Sequence, residues 1–221
     1  PGKLINIDSP LVVKEGLKYV GRGGFKLECA IDTFKIDVKD KVCIDIGSST
    51  GGFTDCLLKK GAKKVFAVDV GYGQIDYSLR KDKRVVLLEK TNARYLRKDR
   101  IGEKVDLVTI DVSFISLDKI LPVSYSLLER GGECIALIKP QFEAGRKDVE
   151  KGGVVRNESI RLKVVSGIKD FCVATGYSVV GCVESPLKGP AGNVEYLIYA
   201  EKKNEGQEGG YFPEPPEKRV S

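Results

Sequence analysis

Apolar residues at Leu27, Ala30, Ile31 and Phe34 recur at i, i+3, i+4 and i+7, the spacing of one buried helix face. The pattern then changes. Compact apolar runs at 42–46, 65–70, 85–88, 105–112 and 134–138 show no alternation, which predicts strands covered on both faces, as in a parallel sheet. Helical spacing separates several of them. One helix is expected over 53–60, with Phe53, Cys56 and Leu57 on one side and Gly61 as its stop. Another is expected over 159–175, where Ile160, Val164, Ile168, Phe171 and Cys172 fall in register. The stretch 117–128 is also helical in pattern, with Pro122 set to begin or kink it. Two last strands, 178–183 and 194–200, have no helix between them and should pair antiparallel at one edge. Strand and helix alternation of this kind predicts a doubly wound, mostly parallel seven-stranded α/β sheet with an antiparallel edge strand.

The flanks read differently. Residues 1–24 hold a short apolar piece at 11–13 and a basic, glycine-rich run at 18–24, which predicts a linker entering a domain over 25–203. The segment 204–221, with Gly206, Gly209, Gly210, Pro213, Pro215 and Pro216, predicts a disordered tail. Pro1 and the absence of Met point to a chain derived from a longer one. No apolar run approaches the roughly 18 residues of a membrane span and no signal segment opens the chain, so a cytoplasmic protein without a membrane partner is expected.

Composition narrows the chemistry. The 221 residues are 42% hydrophobic and 31% charged, a globular mixture. There is no His, which removes Ser-His and Cys-His triads and the usual His-containing zinc sites. The six Cys lack any C-x-x-C pair and read as buried thiols, so no metal is expected. Net charge is +6, and because 204–221 holds four Glu against Lys218 and Arg219, the remainder carries +8. That balance suits a polyanion.

The first strand runs into Asp45-Ile46-Gly47-Ser48-Ser49-Thr50-Gly51-Gly52-Phe53-Thr54. Glycines there would let backbone approach a ligand, and the following helix start favours negative or polar groups. The spacing is neither G-x-G-x-x-G nor a P-loop. Asp69, at the end of the second strand, suits a carboxylate gripping two ribose hydroxyls, and Asp45 could meet a cationic amino group. An adenosine carrying an amino-acid chain and a sulfonium satisfies all of these, so S-adenosylmethionine is the expected cofactor, over a reading of the loop as a structural turn.

The runs Arg22-Gly23-Gly24-Phe25-Lys26-Leu27, Asp45 to Thr54, Val68 to Gln74, Thr91-Asn92-Ala93-Arg94, Asp111 to Ser116 and Lys139 to Gly145 resemble, in order, the TlyA family. These are FtsJ-like ribosomal RNA methyltransferases, often labelled hemolysin A. The resemblance implies a Rossmann-like class I methyltransferase fold, preceded in such proteins by a small RNA-binding domain of which residues 1–20 look like the end. It also implies methyl transfer to a ribose 2′-hydroxyl of ribosomal RNA or ribosomal subunits, through a Lys-Asp-Lys-Glu set that falls on Lys26, Asp111, Lys139 and Glu195. The cofactor would lie against Asp45, Gly47, Ser48, Ser49, Thr50, Gly51, Gly52, Phe53, Asp69, Asn92, Ala93 and Asp111. Asn92 stands where many relatives carry an acid near the adenine.

The residues themselves support part of this. A ribose hydroxyl needs a base, and without His that base falls to Lys, since burial and a neighbouring cation favour a neutral amine. Asp111-Val112-Ser113-Phe114 is not the Asn/Asp-Pro-Pro-aromatic run of exocyclic-amine methylation, and no Cys follows the fourth strand before Cys134, which disfavours pyrimidine carbon-5 chemistry. Arg22, Arg94, Arg97, Lys98, Arg100, Arg146, Lys147, Lys151 and Arg156 mostly follow strand ends, where phosphates could be met. Three other readings stay open: a membrane-lytic hemolysin, a Rossmann-type nicotinamide oxidoreductase, and a cofactor-binding remnant that anchors to ribosomes.

Overall fold

A computed structural model describes residues 18–203. The expected remnant of a preceding domain before Lys18 and the expected tail 204–221 lie outside the described residues. Helix α1 (Gly23–Phe34) leads into β1 (Val42–Ile46), α2 (Gly52–Lys59), β2 (Lys64–Val68), α3 (Tyr77–Lys81), β3 (Val85–Leu88), α4 (Lys98–Ile101) and β4 (Val105–Ile110). Then come α5 (Leu121–Leu127), β5 (Leu128–Ile138), α6 (Pro140–Glu143), α7 (Glu158–Thr175), β6 (Tyr177–Glu184) and β7 (Tyr196–Lys202). The seven strands lie in the order β3-β2-β1-β4-β5-β7-β6, with β7 antiparallel to both β5 and β6 and the other pairs parallel.

Strands β1 and β3 have the extents expected from the sequence, 42–46 and 85–88, with Asp45 the one charged residue in either. β5 starts earlier than its apolar run, at Leu128, because Leu128 pairs with Val105 of β4; the polar segment 129–132 then forms the register shift before Glu133 resumes pairing at Leu107. The apolar run after Val105 continues to Val112, yet strand β4 ends at Ile110. Pro122 sits in the first turn of α5, behind a separate 3-10 turn at 117–119, so the expected helix is split in two. Asn157 caps α7 by accepting from the Ser159 N–H, and Gly176 ends it.

Two cores flank the sheet. Ile44, Ile46, Val108 and Ile110 pack with Leu121, Leu127, Val165 and Ile168 on one face. Cys43, Leu107, Leu137 and Leu197 pack with Leu27, Ile31, Phe53 and Leu57 on the other. Side chains alternate along a strand, so Asp45, Asp111, Lys139 and Glu195, each an even number of residues from one of the latter strand positions, belong to the α1–α2 face. The packed body also reaches back beyond the expected boundary at residue 25. Tyr19 is buried, its ring edge-on to Phe25 and its hydroxyl donating to Glu28, and a Cβ on Gly24 would lie 2.3 Å from that ring.

Candidate active site

Strand order reverses between β1 and β4, and in open parallel sheets ligands collect at the carboxyl ends beside such a point. The loop after β1 is drawn across it. The Gly47 and Ser48 N–H groups donate to the Val68 carbonyl, and Ser49 adopts a left-handed φ of 47°. Gly47, at φ 86°, has no room for a side chain, since a Cβ would lie 2.4 Å from the Asp111 carbonyl oxygen. The glycines therefore serve close backbone packing first: Gly52 lies against Gly21, Gly23 and Gly24, which sets the start of α1 on the start of α2.

Asp69 flanks this loop as expected, but its carboxylate also shapes it. One oxygen accepts from the Ser49 N–H at 2.8 Å and the other from the Gly71 N–H at 2.7 Å. Each oxygen keeps a second lone pair. Neither Gly51 nor Arg22 caps its helix with a side chain, and in the first turn of α2 the Thr54 N–H meets the buried Asp45 carboxylate instead. Asn92 caps the 3-10 turn 93–95 by accepting from the Arg94 N–H, and Ala93 is buried behind it. Two expected cofactor contacts are placed elsewhere. The Phe53 side chain is buried in the core, and Asp45 is fully buried beneath the loop, accepting from Thr54 Oγ1 at 2.7 Å and Thr109 Oγ1 at 3.2 Å.

Burial raises the Asp45 carboxyl to about 7, against the two threonine hydroxyls and with help from the Asp111 charge. In the unfolded chain it titrates near 4. The folded state thus binds the extra proton, and its contribution to stability, complete below about pH 4, is lost as pH rises through about 7. Asp45→Asn should therefore cut the loss of unfolding free energy between pH 5 and pH 8 by about 2–3 kcal/mol relative to the parent. Urea titrations at both pH values test this, and equal losses in the two proteins would show that Asp45 stays ionised.

The four residues of the Lys-Asp-Lys-Glu set form two ion pairs. Lys139 Nζ lies 2.6 Å from Asp111 Oδ1, without hydrogen-bond alignment, and donates to Ser113 Oγ at 2.9 Å. Lys26 Nζ donates to Glu195 Oε2 at 2.5 Å. The pairs are neighbours by construction of the sheet: Ile138 on β5 pairs with Tyr196 on β7, which sets Lys139 across from Glu195. A Cβ on Gly23 would come within 3.7 Å of Asp111 Oδ2, so the start of α1 lies against the first pair while Lys26, one turn on, holds the second.

Residues that periodicity could not reveal complete the arrangement. Gln141 Nε2 donates to Glu195 Oε1 at 3.2 Å, while its own buried Oε1 has no partner. Gly189 leaves the space that Glu195 fills, for a Cβ there would lie 2.0 Å from Oε1. Glu143 accepts from Ser116 Oγ at 2.5 Å and from the Leu117 N–H at 2.9 Å, tying α6 to the segment after Asp111; burial raises its carboxyl against these bonds. That segment carries Phe114, which is 90% exposed, holds a left-handed φ of 62° and lies 5.0 Å from the Phe142 ring. An exposed aromatic in that conformation costs on the order of 1–3 kcal/mol and persists only where its surroundings enforce it. Among the described residues no helix is long and apolar enough to cross a membrane.

A family model described as FtsJ-like methyltransferase matches residues 19–202. YqxC of Bacillus subtilis is 51% identical over 222 residues, which is 100% of this chain and 79% of YqxC. A Mycobacterium tuberculosis protein named 16S/23S rRNA (cytidine-2′-O)-methyltransferase TlyA is 48% identical over 181 residues, 82% of this chain and 68% of its own length. Among solved structures, a protein from Streptococcus thermophilus labelled a hemolysin superposes with a TM-score of 0.83 at 48% identity, covering 86% of this chain and 69% of its own.

Proposed function

The chain belongs to the FtsJ-like methyltransferase family, and from that premise we propose that it methylates a ribose 2′-hydroxyl of ribosomal RNA with S-adenosylmethionine as methyl donor. Family membership removes the nicotinamide reading. The observation that carries the proposal is the pair of lysine–carboxylate contacts at the ends of β4 and β5 and the start of β7, beside the loop after β1.

The donor set fits S-adenosylmethionine. Asp69 keeps lone pairs for a ribose diol, and the Gly52 and Phe53 N–H groups at the start of α2 suit a carboxylate. When bound, the cofactor supplies a methyl group made electrophilic by its sulfonium. The chain supplies alignment and a destination for one proton. Lys139 Nζ, having first given up its own proton, takes that of the attacking hydroxyl as a neutral amine, and Asp111 Oδ1, 2.6 Å away, steadies the ammonium that results. Lys26 and Glu195 hold the opposite side of the ribose, with Gln141 linking Glu195 to the segment that bears Lys139. Phe114, with Phe142 beneath it, offers a platform for a base turned out of its stack.

Incubating the protein with unmethylated ribosomal RNA and with ribosomal subunits, using S-adenosylmethionine labelled in the methyl group, tests this reading. Label should reside on ribose and mark a position resistant to alkaline cleavage. Label on a base, or none on either substrate, overturns it.

A further inference from the structure

Three of the most exposed aromatic side chains lie at the opposite side of the sheet from the Lys-Asp-Lys-Glu set, after β2 and β3. Tyr72, Tyr77 and Tyr95 are 69%, 67% and 60% exposed. Each has a cation at its ring: Lys90 at 4.7 Å from the Tyr72 centroid, Lys81 at 4.2 Å from Tyr77 and Arg94 at 5.5 Å from Tyr95. The Lys90 N–H donates to the Gly71 carbonyl and the Gly73 N–H to Glu89, which joins the segment after β2 to the segment after β3 as one rim of the sheet.

We propose that this rim is a second RNA-binding surface, on which bases stack against the three tyrosines while Lys81, Lys90 and Arg94 meet phosphates. Ribosomal RNA as the partner is taken from the reading above; the surface itself shares no residue with the catalytic set. The charge balance selects a polyanion. Residues 69–100 carry nine Lys or Arg against five Asp or Glu, a net +4 of the chain's +6. The acids are also occupied: Asp69 by two loop N–H groups, Asp76 by Ser78, Asp82 by Arg84, Glu89 by Arg80 and Gly73, and Asp99 by Arg97. The cations at the rings have no such carboxylate partner among the described residues. Lysine is depleted from protein–protein interfaces, whereas aromatic rings interleaved with cations suit base faces and phosphates.

Fluorescence anisotropy with a labelled single-stranded oligoribonucleotide of about 15 residues, over about 50–200 mM salt, reads both parts of the surface. The variant Tyr72→Ala/Tyr77→Ala/Tyr95→Ala should bind about tenfold or more weakly with its salt slope retained. The variant Lys81→Gln/Lys90→Gln/Arg94→Gln should lower the slope by about two to three. Calorimetric affinity for S-adenosylmethionine and the unfolding midpoint, read on the same samples, should stay at the parent values and report an intact fold. Undetectable binding by the parent, or unchanged binding by both variants, overturns the proposal. So does a loss confined to assembled subunits and absent with naked RNA, which assigns the rim to a protein. Weakened binding by the variants, together with a parent that methylates no ribose, would leave this surface standing and reject the catalytic reading instead.

Discussion

Lys139→Ala is expected to lower methyl transfer by a factor of about 10²–10⁴, the usual contribution of a general base, with S-adenosylmethionine affinity little changed. Nζ is the one side-chain nitrogen of the set at the end of a central strand, and the chain has no His to take its place. Its lysine side chain is 9% exposed and meets two partners, Asp111 and Ser113, that fix where Nζ sits. Asp111 Oδ1 is buried but the side chain is 22% exposed, so water entering the space left by the lysine can reach the carboxylate and the fold should tolerate the change. Lys139→Arg separates the two roles that remain. A guanidinium can pair with Asp111 but stays protonated and cannot accept the hydroxyl proton. Single-turnover rates for the arginine variant should therefore match those of the alanine variant. A rate within a few-fold of the parent would reject the base assignment and leave Lys139 a positioning role.

The sheet was legible because β3 is apolar along its whole length and β1 is apolar but for Asp45, between glycine-rich or charged segments. The early start of β5 was not, since Glu129, Arg130, Gly131 and Gly132 carry no strand signal and bridge a register shift between the pairings of Leu128 and Glu133 with β4. Short elements such as α6 have too few residues to show a period. At the site, strand ends announced Asp69, Asp111 and Lys139, whereas the burial of Asp45 depended on which face of β1 it takes and on Thr109 from β4. Tyr19 is a lone aromatic in a basic, glycine-rich run, and only its ring against Gly24 reveals that it belongs to the core. Gly189 and Gln141 matter through Glu195, a partner brought close by the β5–β7 pairing and by no local pattern.

Lys26→Ala should destabilise the protein far more than Lys139→Ala, by about 3–5 kcal/mol, the cost of stranding one charge of a buried pair. Glu195 is 0% exposed, and with Lys26 gone the side-chain donor left to it among the described residues is the neutral amide of Gln141 at 3.2 Å. A pair this buried gains little over a neutral replacement, because desolvation of both charges offsets their attraction. The double variant Lys26→Met/Glu195→Gln is the informative one. It removes both charges and keeps the shape that Gly189 makes room for, and the unpartnered Gln141 Oε1 can accept from the new amide after a side-chain turn. Its urea midpoint should return to within about 1 kcal/mol of the parent. Methyl transfer, in contrast, should stay at least about 10²-fold down if the pair acts on the substrate rather than on the fold. Recovery of both stability and turnover would show that the ion pair only fills space between α1 and β7. Recovery of stability alone makes Lys26 and Glu195 part of the chemistry, and explains why two charges occupy a position where neutral side chains would hold the fold as well.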